Sequence, residues 1–222
     1  MRILLIRHGE SMGNVDPAIH RHTADHAIPL SPRGREQVRE AGRRVATFFA
    51  ERHGDARPHV RLWTSPYRRT RETADGVQEM ASEWVTDRRE HVLLCEQQFG
   101  LFDGIPDEEL PNLFPNEWAH YQKQERFEGR FWARFPLGES RFDVATRVYQ
   151  AFGSFQRDLE QKGVRDLVVV CHGVTLRAFL MMWCHLSPEW FESEPNPHNC
   201  AIRLIEDGRD QGYLFEGFPK GD

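Results

Sequence analysis

The sequence predicts an α/β fold: a three-layer α/β/α sandwich with a mostly parallel central sheet and an inserted helical cap. Three observations carry this expectation. Two short apolar runs, Ile3 to Ile6 and Asp166 to Cys171 (DLVVVC), break off abruptly into polar residues, as strands covered on both faces do. Ser-Pro pairs at 31–32 and 65–66 read as helix openings, with Ser as N-cap and Pro in the first turn. Strand and helix candidates alternate along the chain, the pattern of parallel βαβ units.

In chain order, Met1 to Arg7 reads as a short buried strand. An irregular segment with Gly13, Pro17 and Pro29 follows, up to Leu30. The helix opened by Ser31-Pro32 carries Val38, Ala41, Val45, Phe48 and Phe49 at helical spacing, and Gly54 lies near its end. A second strand is expected over Val60 to Thr64. The helix opened by Ser65-Pro66 has Ala74, Val77, Met80 and Ala81 on one side. His91 to Cys95 is the third strand candidate.

From about residue 97 to 137 the pattern breaks into an aromatic-, Pro- and Gly-rich stretch, read as a cap of short helices inserted into a single domain spanning 1–222. Ser140-x-x-Asp143 resembles a capping box and begins a helix whose stripe is Val144, Val148, Ala151, Phe155 and Leu159. The Asp166–Cys171 strand passes through His172-Gly173 into a helix over Val174 to His185. Strands at about Cys200 to Ile205 and Gly212 to Phe215 complete the sheet.

Composition narrows the function. With 15 Phe, 6 Trp and 4 Tyr in 222 residues, the chain has bulky material for a packed core. A net charge of −5 opposes a general nucleic-acid binder, which needs a positive field to release counterions. The run Ala178 to Cys184 is too short to span a bilayer, and the four-residue apolar run before Arg7 does not make a signal peptide. Cys95, Cys171, Cys184 and Cys200 form no C-x-x-C pair. They read as reduced thiols of a cytoplasmic protein, with neither a disulfide framework nor a thiolate zinc site. The expected partner is a small molecule, not nucleic acid or a membrane; oligomeric state has no signature in the sequence.

Chemistry concentrates at the strand exits. Arg7-His8-Gly9-Glu10-Ser11 follows the first strand, and Ser65 to Arg69 the second. Glu96 follows the third and His172-Gly173 the fourth. In an open α/β sheet the carboxyl ends of parallel strands form the ligand crevice, so these distant residues are expected to converge. Two His, several Arg and a Glu suit phosphoryl transfer. Guanidinium forks match anionic oxygens, a neutral imidazole can attack, and a carboxylic acid can protonate the departing alkoxide.

The segments IRHGES-x-GN (Ile6–Asn14), TSPYRRTRETA (Thr64–Ala74), LCEQQFGLFDG (Leu94–Gly104), LGES (Leu137–Ser140) and VVVCHGVTLR (Val168–Arg177) resemble, in order and spacing, the motifs of the histidine phosphatase superfamily, which includes the cofactor-dependent phosphoglycerate mutases. The resemblance runs from Met1 to about Ile205. It implies that His8 is the phosphorylated nucleophile, that Arg7 and Arg69 bind phosphate, and that His172 contacts the phosphoryl oxygens. It implies Asn14 as a substrate contact and Glu96 as the proton donor; Asp103, close in sequence, is the substitute candidate for the acid. No metal or other cofactor belongs to that mechanism. Glu10 and Glu139 are expected to hold loops, and Arg68 and Arg71 to face solvent or carboxylates.

The segment His20-Arg-His22-Thr-Ala-Asp25-His26 nearly spells the H-x-H-x-D-H of zinc hydrolases, but has one residue too many between His22 and Asp25. Arg21 or His26 is expected instead to line the substrate pocket, with an exposed loop as the alternative. Mutases carry a G-L-N-K-like segment after the acid. Here Gly104-Ile105-Pro106-Asp107-Glu108-Glu109 stands in its place, acidic where a lysine would help. The later cap and the ending Phe191 to Cys200 look closer to the broad-range acid phosphatases of the superfamily. A phosphomonoesterase acting through phosphohistidine on small metabolites is therefore expected. A phosphoglycerate mutase or sugar bisphosphatase is the alternative, with a zinc hydrolase or a non-catalytic phospho-ligand module behind it.

Overall fold

The computed structural model describes residues 1–219. Its six strands are β1 (Arg2–Arg7), β2 (Val60–Thr64), β3 (Val85–Glu90), β4 (Asp166–Cys171), β5 (Ile202–Glu206) and β6 (Arg209–Phe215). They form one sheet in the order β3-β2-β4-β1-β5-β6. The first four are parallel, and β5 and β6 add an antiparallel margin. The helices are α1 (Met12–Val15), α2 (Pro32–His53), α3 (Arg68–Met80), α4 (Leu110–Leu113), α5 (Pro115–Glu128), α6 (Arg141–Lys162), α7 (Gly173–Trp183) and α8 (Pro188–Ser193). The expected α/β class and the mostly parallel sheet are what the chain adopts.

The period-2 pleat sorts the apolar runs onto two faces. Leu4, Ile6, Val168 and Val170 pack with Val38, Val45 and Phe49 of α2 and Val77 of α3. Ile3, Leu5, Leu167 and Val169 point the other way, into Val148 and Phe155 of α6 and Leu176 and Phe179 of α7. Runs that lack polar alternation are thus explained by burial on both faces. Two of the expected caps form: Ser31 Oγ accepts from Gly34 N, and Ser140 with Asp143 forms a reciprocal capping box.

Two elements differ from expectation. The third strand is Val85–Glu90, not His91–Cys95. It pairs only with β2 at the sheet edge, so its VTDRRE sequence keeps its charges near solvent and shows no apolar run. His91 instead caps the 3₁₀ turn Val92–Leu94, its side chain accepting from Leu93 N. The helix after β2 begins at Arg68, three residues beyond Ser65, with Tyr67 at the N-cap. Ser65 is not its cap, because its hydroxyl meets His172 Nε2 at 2.9 Å. Smaller shifts affect boundaries: α7 covers Gly173–Trp183, and the last strands start at Ile202 and Arg209.

Between Glu96 and Ser140 lie the 3₁₀ turn Gly100–Phe102, α4 and α5. This segment has its own small core of Phe102, Leu110, Tyr121 and Ala133, with Tyr121 stacked on Phe135 at 4.8 Å. Its ends are stitched together by Glu139 N donating to Gln98 O and Leu101 N to Pro136 O. Gly100 has φ +59°, and a Cβ there would meet Pro136 O at 2.1 Å, so the stitch requires glycine.

Candidate active site

At the carboxyl ends of the parallel strands a cavity of about 150 Å³ opens. Arg7, His8, Asn14, Arg69 and Glu96, distant in sequence, all line it. His172 stands directly behind, fully buried, with its ring 5.3 Å from that of His8 and edge-on to it. The strand pair explains the meeting. Arg7 of β1 is the register partner of Cys171 of β4, and His8 N donates to Cys171 O, so the two histidines leave adjacent strands side by side.

His8 Nδ1 lies 2.7 Å from Gly9 O. A carbonyl can only accept, so Nδ1 carries the proton and Nε2 keeps its lone pair. Burial, then Arg69 and Arg7, push the His8 imidazole well below its usual range, so the ring stays neutral. Gly9 permits this tight exit: a Cβ there would sit 2.9 Å from both Gly34 O and Val38 Cγ2 of α2. His172 is held down in the same way, by burial, then Arg69 and His8. Its Nε2 bonds Ser65 Oγ, while its Nδ1 is buried without a partner.

The two arginines are held differently. Arg7 donates Nη1 to Pro197 O, and its Nε is buried with no acceptor. Burial lowers its pKa, and the nearby Glu96 carboxylate opposes that shift only in part. Arg69, 5% exposed, gives Nη1 to Asp25 O at 2.7 Å and to Oδ1 at 2.8 Å, and Nη2 to Oδ2 at 3.1 Å. Arg68 and Arg71 turn outward to Glu72 and Glu90, as expected.

Glu96 sits over the first turn of α7, accepting from Thr175 N at 3.3 Å and Val174 N at 3.4 Å. Its position is fixed from behind by Arg147 of α6. That guanidinium donates to the carbonyls of Leu93, Cys95 and Glu96 while paired with Glu139. Asn14 closes the capping box of α1 with Ser11, and its Oδ1 accepts from Asn199 Nδ2 at 3.1 Å. Glu10 accepts from Ser31 Oγ, and Glu139 from Gln98 N, so both hold loops.

Arg21 departs from expectation. It is exposed, donates to Gly104 O and pairs with Glu109 at 2.8 Å, outside the cavity. Its neighbour His20 lines the cavity instead, with Asp25 and Asp103. The one-turn 3₁₀ segment Pro17–Arg21 aims successive side chains in different directions, which sequence position alone does not resolve. His20 Nδ1 is 3.5 Å from Asp103 Oδ1 and 3.7 Å from Asp25 Oδ1. Asp103 raises its pKa, with a smaller contribution from Asp25. His22 and His26 are exposed. Among the described residues no three His, Cys, Asp or Glu side chains cluster as a metal site. The sequence reading missed Asp25, His20, Ser65, Thr175 and Arg147 as site groups. His20 and Asp25 stood out only as a zinc-like segment and Ser65 only as a helix cap, Thr175 lies in the first turn of the helix after His172-Gly173, and Arg147 carries no local signal.

A larger cavity, about 440 Å³, lies between α2 and the β5–β6 margin, away from these groups. Two of its arginines, Arg43 and Arg44, are already paired with Glu40. The smaller cavity alone joins an uncharged imidazole, two guanidinium groups and a carboxyl group around one space. That set can transfer a phosphoryl group: attack from Nε2, charge neutralisation by the forks, and proton transfer to the leaving oxygen.

Comparison with known proteins agrees. A family profile described as the histidine phosphatase superfamily (branch 1) matches residues 3–216. A phosphoglycerate mutase-like protein of Arabidopsis thaliana, AT74H, is 37% identical over 96% of this chain and 76% of its own length. The broad-range acid phosphatase DET1 of Saccharomyces cerevisiae is 26% identical over 92% of this chain and 84% of its own. Among solved structures, the α-ribazole phosphatase of Shigella flexneri superposes with TM-score 0.70 at 19% identity, covering 100% of this chain and 99% of that one. At that identity the likeness shows the fold.

Proposed function

The chain belongs to the histidine phosphatase superfamily, branch 1, and from that premise we propose that it is a metal-independent phosphomonoester hydrolase working through phosphohistidine at His8. One observation carries the reading: a buried imidazole, held neutral with its Nε2 lone pair free, beside Arg7 and Arg69. In the first step Nε2 forms a bond to phosphorus as the bond to the alcohol oxygen breaks, and Glu96 gives that oxygen its proton. In the second step Glu96 takes a proton from water, whose oxygen displaces His8 and releases inorganic phosphate. Arg7, Arg69 and His172 hold the three equatorial oxygens, and Asn14 contacts substrate.

The depressed pKa of His8 has a direct consequence. An imidazole in water gains a proton as the pH falls below neutral; at His8 burial, with Arg69 and Arg7 beside it, opposes that protonation. That supports an acid phosphatase. Asp103 in the cavity, with Asp107 and Glu108 in the cap, opposes a second anionic group. This favours a monophosphate substrate over the bisphosphorylated intermediate of a mutase.

Members of the family act on small phosphorylated substrates, and a net charge of −5 fits that better than nucleic acid. No helix among the described residues is long and apolar enough to cross a membrane. Four free thiols fit a reducing, cytoplasmic setting, and residues 1–222 are read as one domain with its cap at about 97–137.

The test is a screen of phosphorylated metabolites in the presence of EDTA, with the enzyme trapped during turnover by alkaline denaturation and examined by mass spectrometry. A phosphate adduct on His8 and chelator-resistant turnover are expected. Loss of activity in EDTA that zinc restores would overturn the metal-independent mechanism.

A further inference from the structure

The His-rich loop that imitates a zinc motif acquires another role once Asp25 is placed. Its carboxylate meets both terminal nitrogens of Arg69 end-on, and its own carbonyl takes a second bond from Nη1. Among the described residues no acceptor meets Arg69 Nε, which leaves the Nε edge of the fork for a ligand. An arginine side chain has four rotatable torsions, and fixing it at the moment of binding costs up to about 2 kcal/mol of rotamer entropy. Here that freedom is already removed in the free enzyme. Tyr67 contributes from the other side, its ring 5.0 Å from the Arg69 guanidinium carbon.

Arg7 offers the contrast. It comes from the end of a sheet strand, is held by one carbonyl, and among the described residues hydrogen-bonds no carboxylate. Arg69 comes from the first turn of α3 and needs an external brace to aim at the same space. The brace is itself set in place: the 3₁₀ turn Asp25–Ala27 packs on α3. His20 stands 3.7 Å from Asp25 on its other side and 3.5 Å from Asp103, and Gly104 lies against the His20 Cβ.

We propose that Asp25 is the positioning residue for Arg69, aiming the Nε edge of its guanidinium at the phosphoryl group. The proposal rests on the phosphatase reading above. Asp25 touches no reacting atom; it acts through Arg69. Its cost is a negative charge near the phosphoryl site, which the end-on pair with Arg69 neutralises.

The experiment is a double-mutant cycle of Asp25→Ala and Arg69→Ala, read as kcat/KM on p-nitrophenyl phosphate and as affinity for inorganic phosphate by calorimetry. Asp25→Ala alone is expected to lower kcat/KM about 10- to 100-fold and to weaken phosphate binding. In the Arg69→Ala background the same change should alter either quantity less than about twofold, because the group it positions is gone. Asp25→Asn, nearly isosteric and still able to accept one hydrogen bond, should fall between wild type and Asp25→Ala, and serves where the alanine variant does not fold. An equal loss in both backgrounds would make Asp25 merely structural. Faster turnover or tighter phosphate binding in Asp25→Ala would make the pair an inhibitory latch. Either result overturns the proposal. If the wild type turns over no phosphomonoester, the phosphatase reading fails on its own, while the phosphate-binding arm still decides the role of Asp25.

Discussion

At their amino ends β1 and β4 begin with Arg2 and Asp166, register partners joined by two hydrogen bonds, Nε to Oδ1 at 2.5 Å and Nη2 to Oδ2 at 3.0 Å. His53 closes on the same carboxylate at 3.3 Å, and Glu206 pairs with Arg52 and approaches Arg2. At their carboxyl ends the same two strands finish with Arg7 and Cys171 and run on into His8 and His172. There Arg7 Nε and His172 Nδ1 are buried without partners, and burial drives the pKa values of Arg7, His8 and His172 down. Arginine and histidine stand at both ends. One end satisfies its charges internally and contributes stability; the other leaves donors unsatisfied and needs an anion. A buried donor without a partner costs about 1–3 kcal/mol. Such groups mark where ligand binding recovers what folding gave up.

The comparison can be broken most severely at the nucleophile. His8→Ala should reduce turnover by about 10⁴-fold or more, since it removes the nitrogen proposed to attack phosphorus. Stopped assays on purified protein with matched circular dichroism would check this. At the opposite end Asp166→Ala should cost about 1–3 kcal/mol of stability, because it removes the buried acceptor of half-buried Arg2 and leaves Glu206 at 3.8 Å as the nearby carboxylate. Activity per folded molecule should stay within about twofold. Chemical denaturation with parallel kinetics would show whether the two ends separate in this way.

A finer contrast lies within the catalytic end. Glu96→Gln should slow phosphorylation of the enzyme by an alkyl phosphate on the order of 10²-fold more than by p-nitrophenyl phosphate, whose leaving group hardly needs a proton. Single-turnover measurement isolates that step from the later water attack. Equal slowing with both substrates would reduce Glu96 to a positioning role and turn attention to Asp103, which lines the same cavity. The smallest expected effect is that of Arg69→Lys. It keeps the charge but loses the planar fork, and should lower kcat/KM by about 1.5–3 kcal/mol. If the lysine enzyme matches wild type, Arg69 supplies field alone, and bidentate geometry does not matter at this end of the strands.

How much of this was legible beforehand depended on the reach of each interaction. The strands Val60–Thr64 and Asp166–Cys171 and the caps at Ser31 and Ser140 were readable because an apolar run or a capping hydroxyl acts within a few residues. The residues expected at the strand exits, Arg7, His8, Arg69 and His172, were readable because parallel strands bring their carboxyl ends together whatever lies between them; Glu96 reaches the same cavity from the 3₁₀ turn Val92–Leu94, not from the strand expected before it. The edge strand Val85–Glu90 escaped, since a strand with one neighbour need not be apolar.

What only tertiary structure decided were the partners. Ser65 serves His172 rather than capping α3, Arg147 braces the Glu96 segment from 51 residues away, and Asp25 reaches Arg69 across 44. Arg21 clasps the cap while His20 takes the cavity. Sequence by itself determined which groups exist and roughly where the backbone turns, because local sterics and burial impose those. Which carboxylate meets which guanidinium depends on side-chain directions from separately packed elements, and that geometry exists only once the chain has folded.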